Sequence, residues 1–540
     1  MRARRGLAIV ALVTLVAACG GSSNSGTVTP VPPTPPFSSV QQIRLSQPST
    51  FAAGCDGVPA SGTLYIDTAV EPSLAANPFN PMNLIAAWQQ NRWSNGGSQG
   101  LMLASSVNGG TSWTLTTAPF SRCTGGNPAN LGDYARATDP WVTISANNGV
   151  AYALSLSFTG ASLAPGSSSA MLVARSADFG VTWQLPHALI VDPPNPSGAQ
   201  FFNDKGSITA DPLNASFVYA VWDRLTSPTS GPSYFAFTQT GGSTWEPARS
   251  IYDPGPSGQT IGNQIVVLNG DVLLNVFTEI DTASDGTVSS LVRVIRGTYN
   301  GTTWIWSAPT TIAKLQAVGT SNPANSAPVR DGSSIVSVSA TLGAVYVAWQ
   351  DSLFSMGKHD GIALASSLDG GQTWSTPVQV NADPNVQAFT PTVNVRADGV
   401  IAVTYFDLRN NTAPSASHLY ADCWMVISTD GGMSFSEQHL SGSFDLVNAP
   451  DSEGLFLGDY QALVSSGSGT PFLPLYAQPA LGNVVQTDTF ISFPPSPAAA
   501  AAALAFTPRA AAAGAELTPE AQRRVMARTR LVQAQRLRGR

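Results

Sequence analysis

The chain is predicted to be all-β, a β-propeller of four-stranded antiparallel blades, and three observations predict it. Only 11% of its 540 residues are charged, against roughly 25% in an average globular protein. Glycine and proline are abundant, at 49 and 40 residues, while the hydrophobic fraction stays at 43%. A disordered chain would be poorer in apolar residues, and a helical bundle would be poor in Gly and Pro. Finally, a turn-forming octapeptide recurs six times, with short strands in one order between the copies.

The amino terminus reads as an address. Met1 to Arg5 is basic, and Leu7 to Ala18 is an apolar run of twelve residues. A membrane-crossing helix needs about 20 residues, so residues 1–18 are expected to be a signal peptide. The run ends in Val16-Ala17-Ala18-Cys19, which resembles the lipobox of bacterial lipoproteins. That resemblance implies cleavage before Cys19 and a diacylglycerol on its thiol, anchoring the chain to a membrane of the bacterial cell envelope. Gly20 stands where an inner-membrane retention Asp would stand, which favours the outer membrane or cell surface. Residues 19–37 are Gly/Ser-rich and then Pro-rich, a flexible-to-extended tether. Cys55, Cys123 and Cys423 remain, enough for one disulfide and one leftover thiol. Cys55–Cys123 is the preferred pairing, because both lie in long glycine-containing loops near the start of the fold.

The repeat organises residues 38–494. Its copies end on Trp113, Trp183, Trp245, Trp304, Trp374 and Phe435, at intervals of 70, 62, 59, 70 and 61 residues. Asn108, Asp178, Asp369 and Asp430 stand at the turns, where their side chains can accept from backbone N–H groups. The following glycines supply positive φ, and the aromatic residue starts the next strand and buries its ring between sheets. These octapeptides resemble the Asp-box (BNR) repeat of the sialidase superfamily, over roughly residues 65–490. Inner strands are expected to start near Glu71, Asp139, Lys205, Gln264, Ser334, Thr390 and Asp459, which makes seven blades; six is the alternative if one unit is misread. The last unit lacks the octapeptide, so Val40–Leu45 is expected to supply its fourth strand. Beyond residue 494 an Ala-rich linker leads to a basic helix (495–540), read as solvated or as an arm for an acidic partner or anionic polymer.

Charge is unevenly spread. Of the net −7, residues 1–18 contribute +3 and residues 498–540 contribute +6, leaving −16 on residues 19–497. An acidic body argues against nucleic acid. In a propeller the functional mouth is lined by the loops opposite the octapeptide turns. Glu71, Arg92, Arg136, Asp139, Asp204, Lys205, Asp223, Arg224, Glu279, Arg330, Asp351, Asp407, Arg409, Asp459 and Tyr460 map there. The sialidase resemblance implies an arginine clamp on a substrate carboxylate, drawn from Arg136, Arg224, Arg330 and Arg409. It further implies Tyr460 as nucleophile, Glu279 as its partner and Asp139 as acid, with Asp407 and Asp459 beside the ligand. Two departures stand against activity: Glu71-Pro72-Ser73 replaces the family's Arg-Ile-Pro, and sialidases have six blades. The expected function is therefore binding of a glycan or anionic surface polymer by a monomeric envelope protein, with an exo-glycosidase or a protein scaffold as alternatives. No metal-ligand spacing involves His187, His359, His418 or His439, so no cofactor is expected; Asp281 to Gly286 is a weak Ca²⁺ candidate.

Overall fold

Strand Val345–Asp351 shows why the strands are apolar throughout. All seven of its residues are buried. Val345, Val347 and Trp349 enter one hydrophobic cluster, while Tyr346 and Ala348 enter the next. Alternate side chains leave a strand on opposite faces, so a continuous apolar run requires a packed layer on each side.

The computed structural model describes residues 40–59, 61–146, 149–198, 200–341, 343–480, 482, 484–495, 505–512 and 514–538. The signal peptide, Cys19, the whole tether, and residues 496–504 and 513 of the Ala-rich linker lie outside them. Strands pair as successive antiparallel meanders. Unit 1 comprises Leu64–Asn77, Asn80–Trp93, Ser98–Ser106 and Thr114–Thr116. Unit 2 comprises Arg136–Ile144, Ala151–Thr159, Ser168–Ser176 and His187–Asp192. Unit 3 comprises Phe202–Ala210, Val218–Leu225, Ser233–Thr238 and Arg249–Tyr252. In unit 4, Gly258–Leu268, Val272–Thr282 and Val288–Tyr299 are followed by two short strands, Trp304–Trp306 and Thr310–Lys314. Unit 5 comprises Ser337–Ala340, Val345–Asp351, Gly361–Ser367 and Val378–Gln379, with Arg509–Ala510 added at its edge. Unit 6 comprises Ala388–Val395, Ile401–Asp407, Tyr420–Ser428 and Ser436–Asp445. Unit 7 comprises Ala462–Val464, Leu473–Pro479 and Thr487–Phe493. The N-terminal strand Gln41–Arg44 completes that sheet, with Gln41 opposite Phe493 and Arg44 opposite Phe490.

Hydrophobic clusters join each unit to the next. One combines Ile85, Leu101 and Leu103 of unit 1 with Val142, Ala153 and Leu172 of unit 2, and others continue through units 3 to 7. A further cluster unites Leu473, Leu475 and Ile491 of unit 7 with Leu84 and Trp88 of unit 1. The turn aromatics sit at these junctions. Trp304 and Phe435 are buried, whereas Trp113, Trp183, Trp245 and Trp374 are half-buried, less enclosed than the sequence suggests.

One hydrogen-bond set recurs at the octapeptide turns. The Thr182 N–H and hydroxyl donate to the Asp178 carboxylate at 2.9 and 2.6 Å, and the Gly180 N–H donates to Ser176 Oγ at 2.8 Å. Asp369 and Asp430 repeat it with Thr373 and Ser434. Asn108 does so through the Ser112 N–H. These bonds to the charged form hold the Asp178, Asp369 and Asp430 carboxyls below the usual range, led in each by the hydroxyl donor. The expected disulfide is present, with Cys55 and Cys123 Cα atoms 4.9 Å apart, and Cys423 is a buried free thiol.

Candidate functional site

The inner strands are longer than expected. Glu71, Asp139, Lys205 and Thr390 fall inside strands rather than at their starts, and each sits at a bulge. Register shifts occur between Val70 and Ser73, Thr138 and Trp141, Asp204 and Ser207, Ile261 and Gln264, and Phe389 and Thr392. The first extra residue has positive φ in every case: Glu71 at 52°, Asp139 at 50°, Lys205 at 41°, Gly262 at 69° and Thr390 at 51°. A bulge re-aims a side chain that strict alternation would send elsewhere. Non-glycine residues at positive φ carry backbone strain, which tends to collect at functional sites.

Three of these re-aimed side chains meet. Lys205 Nζ donates to Asp459 Oδ2 at 2.6 Å, Asp139 Oδ1 at 2.8 Å and Glu71 Oε1 at 3.2 Å. All four residues are buried; Lys205 is 4% exposed. Asp459 also accepts from Arg330 Nη2 at 3.0 Å. The Arg330 and Arg92 guanidinium groups flank the Phe456 ring at 4.7 and 4.5 Å. Gln89 donates its amide to Glu71. Burial drives the Glu71 carboxyl above its ordinary value, and the opposing pull of the Lys205 ammonium is smaller. The side chains come from units 1, 2 and 3 and from the segments that precede units 5 and 7, a convergence that depends on the whole molecule.

Tyr460 belongs to this centre but not as a partner of Glu279. Its ring lies 5.9 Å from Lys205 Nζ and packs against Trp141 at 5.3 Å, and its hydroxyl donates to the Pro140 carbonyl at 3.0 Å. Glu279 instead accepts from the Tyr252 hydroxyl and from Arg293 Nη2, the latter at 2.8 Å. Beyond Tyr460 and Trp141 lies a cavity of about 180 Å³, lined among others by Gln264, Ser337, Thr392 and Asn394.

The four arginines proposed for a carboxylate clamp are dispersed. Only Arg330 reaches the Lys205 cluster. Arg136 donates to the Gly96 carbonyl at 2.6 Å and Asn95 Oδ1 at 2.9 Å, anchoring the turn after Trp93. Arg224 pairs with Asp192 and covers the Phe201 ring at 4.0 Å. Arg409 joins Asp407 and Glu437 and stacks on Trp424 at 3.7 Å. Burial raises the Asp407 carboxyl to about 6 despite Arg409. Arg136, Arg224 and Arg409 each find acceptors close to their own units, so they do not meet Arg330 at a common point.

The carboxy-terminal helix, Pro519–Arg538, is the feature the sequence leaves most open. It is neither solvated nor free. Arg536 Nε donates to Asp204 Oδ2 at 3.1 Å, its Nη1 donates to Gln259 Oε1 at 2.9 Å, and its Nη2 pairs with Asp223. Arg528 pairs with Asp331 and donates to Ser333 Oγ at 2.7 Å. Between this helix and Lys205, Arg330 and Asp459 there is only about 20 Å³ of space, room for roughly one water. Arg530 donates to the Gly286 carbonyl at 2.7 Å, engaging the loop named as a Ca²⁺ candidate. Among the described residues no group of three or more His, Cys, Asp or Glu is placed to hold a metal ion.

No family model matches the chain, and no curated protein matches it in sequence. Among solved structures it is similar to an ulvan lyase of a polysaccharide lyase family (TM-score 0.45, 12% identity, covering 79% of this chain and 94% of that one). It is also similar to the α-L-arabinanase of Penicillium chrysogenum complexed with arabinobiose (TM-score 0.43, 13% identity, 69% and 94%). A third is a Hadza microbial sialidase, of which the chain spans 63% over 63% of its own length (TM-score 0.40, 17% identity).

Proposed function

We propose that the chain is a seven-bladed β-propeller of the bacterial cell envelope, lipid-anchored through Cys19, that binds a glycan at its axis. The closing sheet of Gln41–Arg44 on Thr487–Phe493 and the cluster joining units 7 and 1 support the ring. One observation carries the site: Glu71, Asp139 and Asp459 converge on Lys205 beside the Trp141–Tyr460 pair and a cavity of about 180 Å³. Carboxylates and amides exchange hydrogen bonds with sugar hydroxyls, and an aromatic face packs against the apolar C–H side of a sugar ring. Glu71, Asp139 and Asp459 stand here against Lys205, Arg92 and Arg330, while Asp204, Asp223 and Asp331 are paired with Arg536 and Arg528 of the terminal helix. That balance favours a neutral or amino-bearing glycan over a polyanion.

The test is titration of the folded full-length chain with a panel of neutral, amino and acidic glycans. Saturable binding of at least one neutral or amino glycan, weakened about tenfold by Trp141→Leu, is expected. Absence of saturable binding across the panel overturns the reading.

A second reading, hydrolysis, is favoured by the raised Glu71 carboxyl beside Asp139 and Asp459. A carboxyl held above its ordinary value beside other carboxyls is an arrangement by which glycosidases separate acid from base. It predicts sugar release from a glycoside panel, abolished by Glu71→Gln.

A further inference from the structure

We infer that the terminal helix is a displaceable lid, docked by its arginines into an acidic recess of its own chain and closing the Lys205 site beneath it. The inference rests on the reading of that cluster as the ligand site, and names its regulation.

The inward stripe of the helix shows what holds it. Ala521, Val525, Arg528, Thr529, Val532, Gln535 and Arg536 are its buried positions, at helical spacing. A helix built permanently into a core presents an apolar stripe. This stripe carries two arginines, a glutamine and a threonine; among the described residues its buried apolar side chains are Ala521, Val525 and Val532, with Leu517 just before the helix and Leu537 partly buried against the core of units 2 and 3. Buried ion pairs return little net stability, because desolvation offsets most of the Coulombic gain. What they confer is specificity and steering. The dock is therefore selective without the large apolar interface that would make it permanent.

The recess is shaped and charged for this occupant. Asp204, Asp223 and Asp331 are fully buried beneath the helix. A Cβ at Gly357 would stand 2.2 Å from the Ala521 Cβ, and one at Gly319 would stand 2.6 Å from Arg528 Nε, so two glycines leave the room that the helix fills. The chain leading to it is pinned: Phe506 pairs with Phe435, and Arg509–Ala510 extends the unit 5 sheet. The helix can leave while its tether stays, which keeps it at high effective concentration for return. While it is docked, about 20 Å³ of space lies between it and Lys205, Arg330 and Asp459, room for roughly one water.

The test uses the full-length chain, its Ala521→Trp variant and a labelled peptide spanning residues 514–538. A tryptophan in place of Ala521 meets Gly357 and prevents docking without touching the acidic residues. In the unaltered chain the helix amides should exchange hydrogen at least a hundredfold faster than those of Phe202–Ala210 and Ala388–Val395. The variant should capture the peptide at least tenfold more tightly than the unaltered chain, and a peptide carrying Arg536→Ala should lose at least tenfold in affinity. Helix amides that exchange only together with the inner strands overturn the lid, as does a variant that keeps helix protection and captures no peptide. Fast helix exchange and peptide capture, with no glycan bound by either chain, would leave the lid standing and overturn the ligand reading alone.

Discussion

Replacing Lys205 by methionine tests whether the axial cluster is the electrostatic keystone that its geometry indicates. The substitution keeps most of the unbranched side chain and removes its terminal ammonium and one charge. Three carboxylates within 3.2 Å, all buried, then lose their shared cation. Removing one partner from a buried ion pair costs about 3–5 kcal/mol, and Arg330 remains on Asp459 to temper the loss. Unfolding entropy near 2.1 cal/mol/K per residue makes 1 kcal/mol worth about 1 °C for a body of roughly 450 residues. A fall in Tm of about 3–5 °C at pH 8 is therefore expected by calorimetry. The pH dependence carries the sharper test. Without the ammonium, the Glu71 carboxyl, already above its ordinary value, should rise further, so stability is retained at low pH and lost as pH rises through the new value. The deficit against the unaltered chain should be small near pH 5 and full by pH 8. A deficit below about 1 °C at pH 8, or one equal at pH 5 and pH 8, would refute the reasoning.

Two further outcomes are expected. Burial first, and then the nearby Asp331 carboxylate, raise Asp360 to about 7, so its contribution to stability is complete below about pH 4 and lost as pH rises toward 7. In Asp360→Asn that component vanishes, and the Tm difference between the two chains should narrow from pH 4 to pH 8; parallel curves would contradict it. The Cys55–Cys123 bridge closes a loop with a sequence separation of 68. Chain entropy assigns it about 4 kcal/mol, so Cys55→Ser should lower Tm by roughly 4 °C, and adding reductant to that variant should lower it no further.

Much of the architecture was legible because it is local and repeated. An Asp, Asn or Thr acceptor in each octapeptide takes a backbone N–H across a glycine turn, so six copies imply six hairpins from the sequence alone. The pairing of Gln41–Arg44 with the final unit was legible for a related reason: a unit short of one strand implies a donor elsewhere. The site was legible in part. Glu71, Asp139, Lys205 and Asp459 are expected at the starts of inner strands; the first three instead lie at bulges inside longer strands, and Asp459 precedes its strand. That Lys205 would gather the other three was not legible, because the bulges that re-aim these side chains leave no mark in a strand pattern of period two. Glu279 found Tyr252 rather than Tyr460, and Arg136, Arg224 and Arg409 found acceptors near their own units. Residue type shows what a side chain can bond, and proximity then selects among the candidates.

The terminal helix separates the two sources of information most clearly. Its existence, its basic charge and its place after an Ala-rich linker follow from residues 495–540 alone, as does the −16 carried by residues 19–497. Opposite charges within one chain raise the prospect of self-association but do not say where. Only the tertiary structure decided that Arg536 reaches Asp204 and Asp223 and Arg528 reaches Asp331, because unit 3 and the segment before unit 5 come to lie under one helix only in the folded chain. Hairpins are determined by neighbours in sequence. The Lys205 cluster and the helix beside it are determined by neighbours in space, brought together from positions as far apart as Glu71 and Arg536.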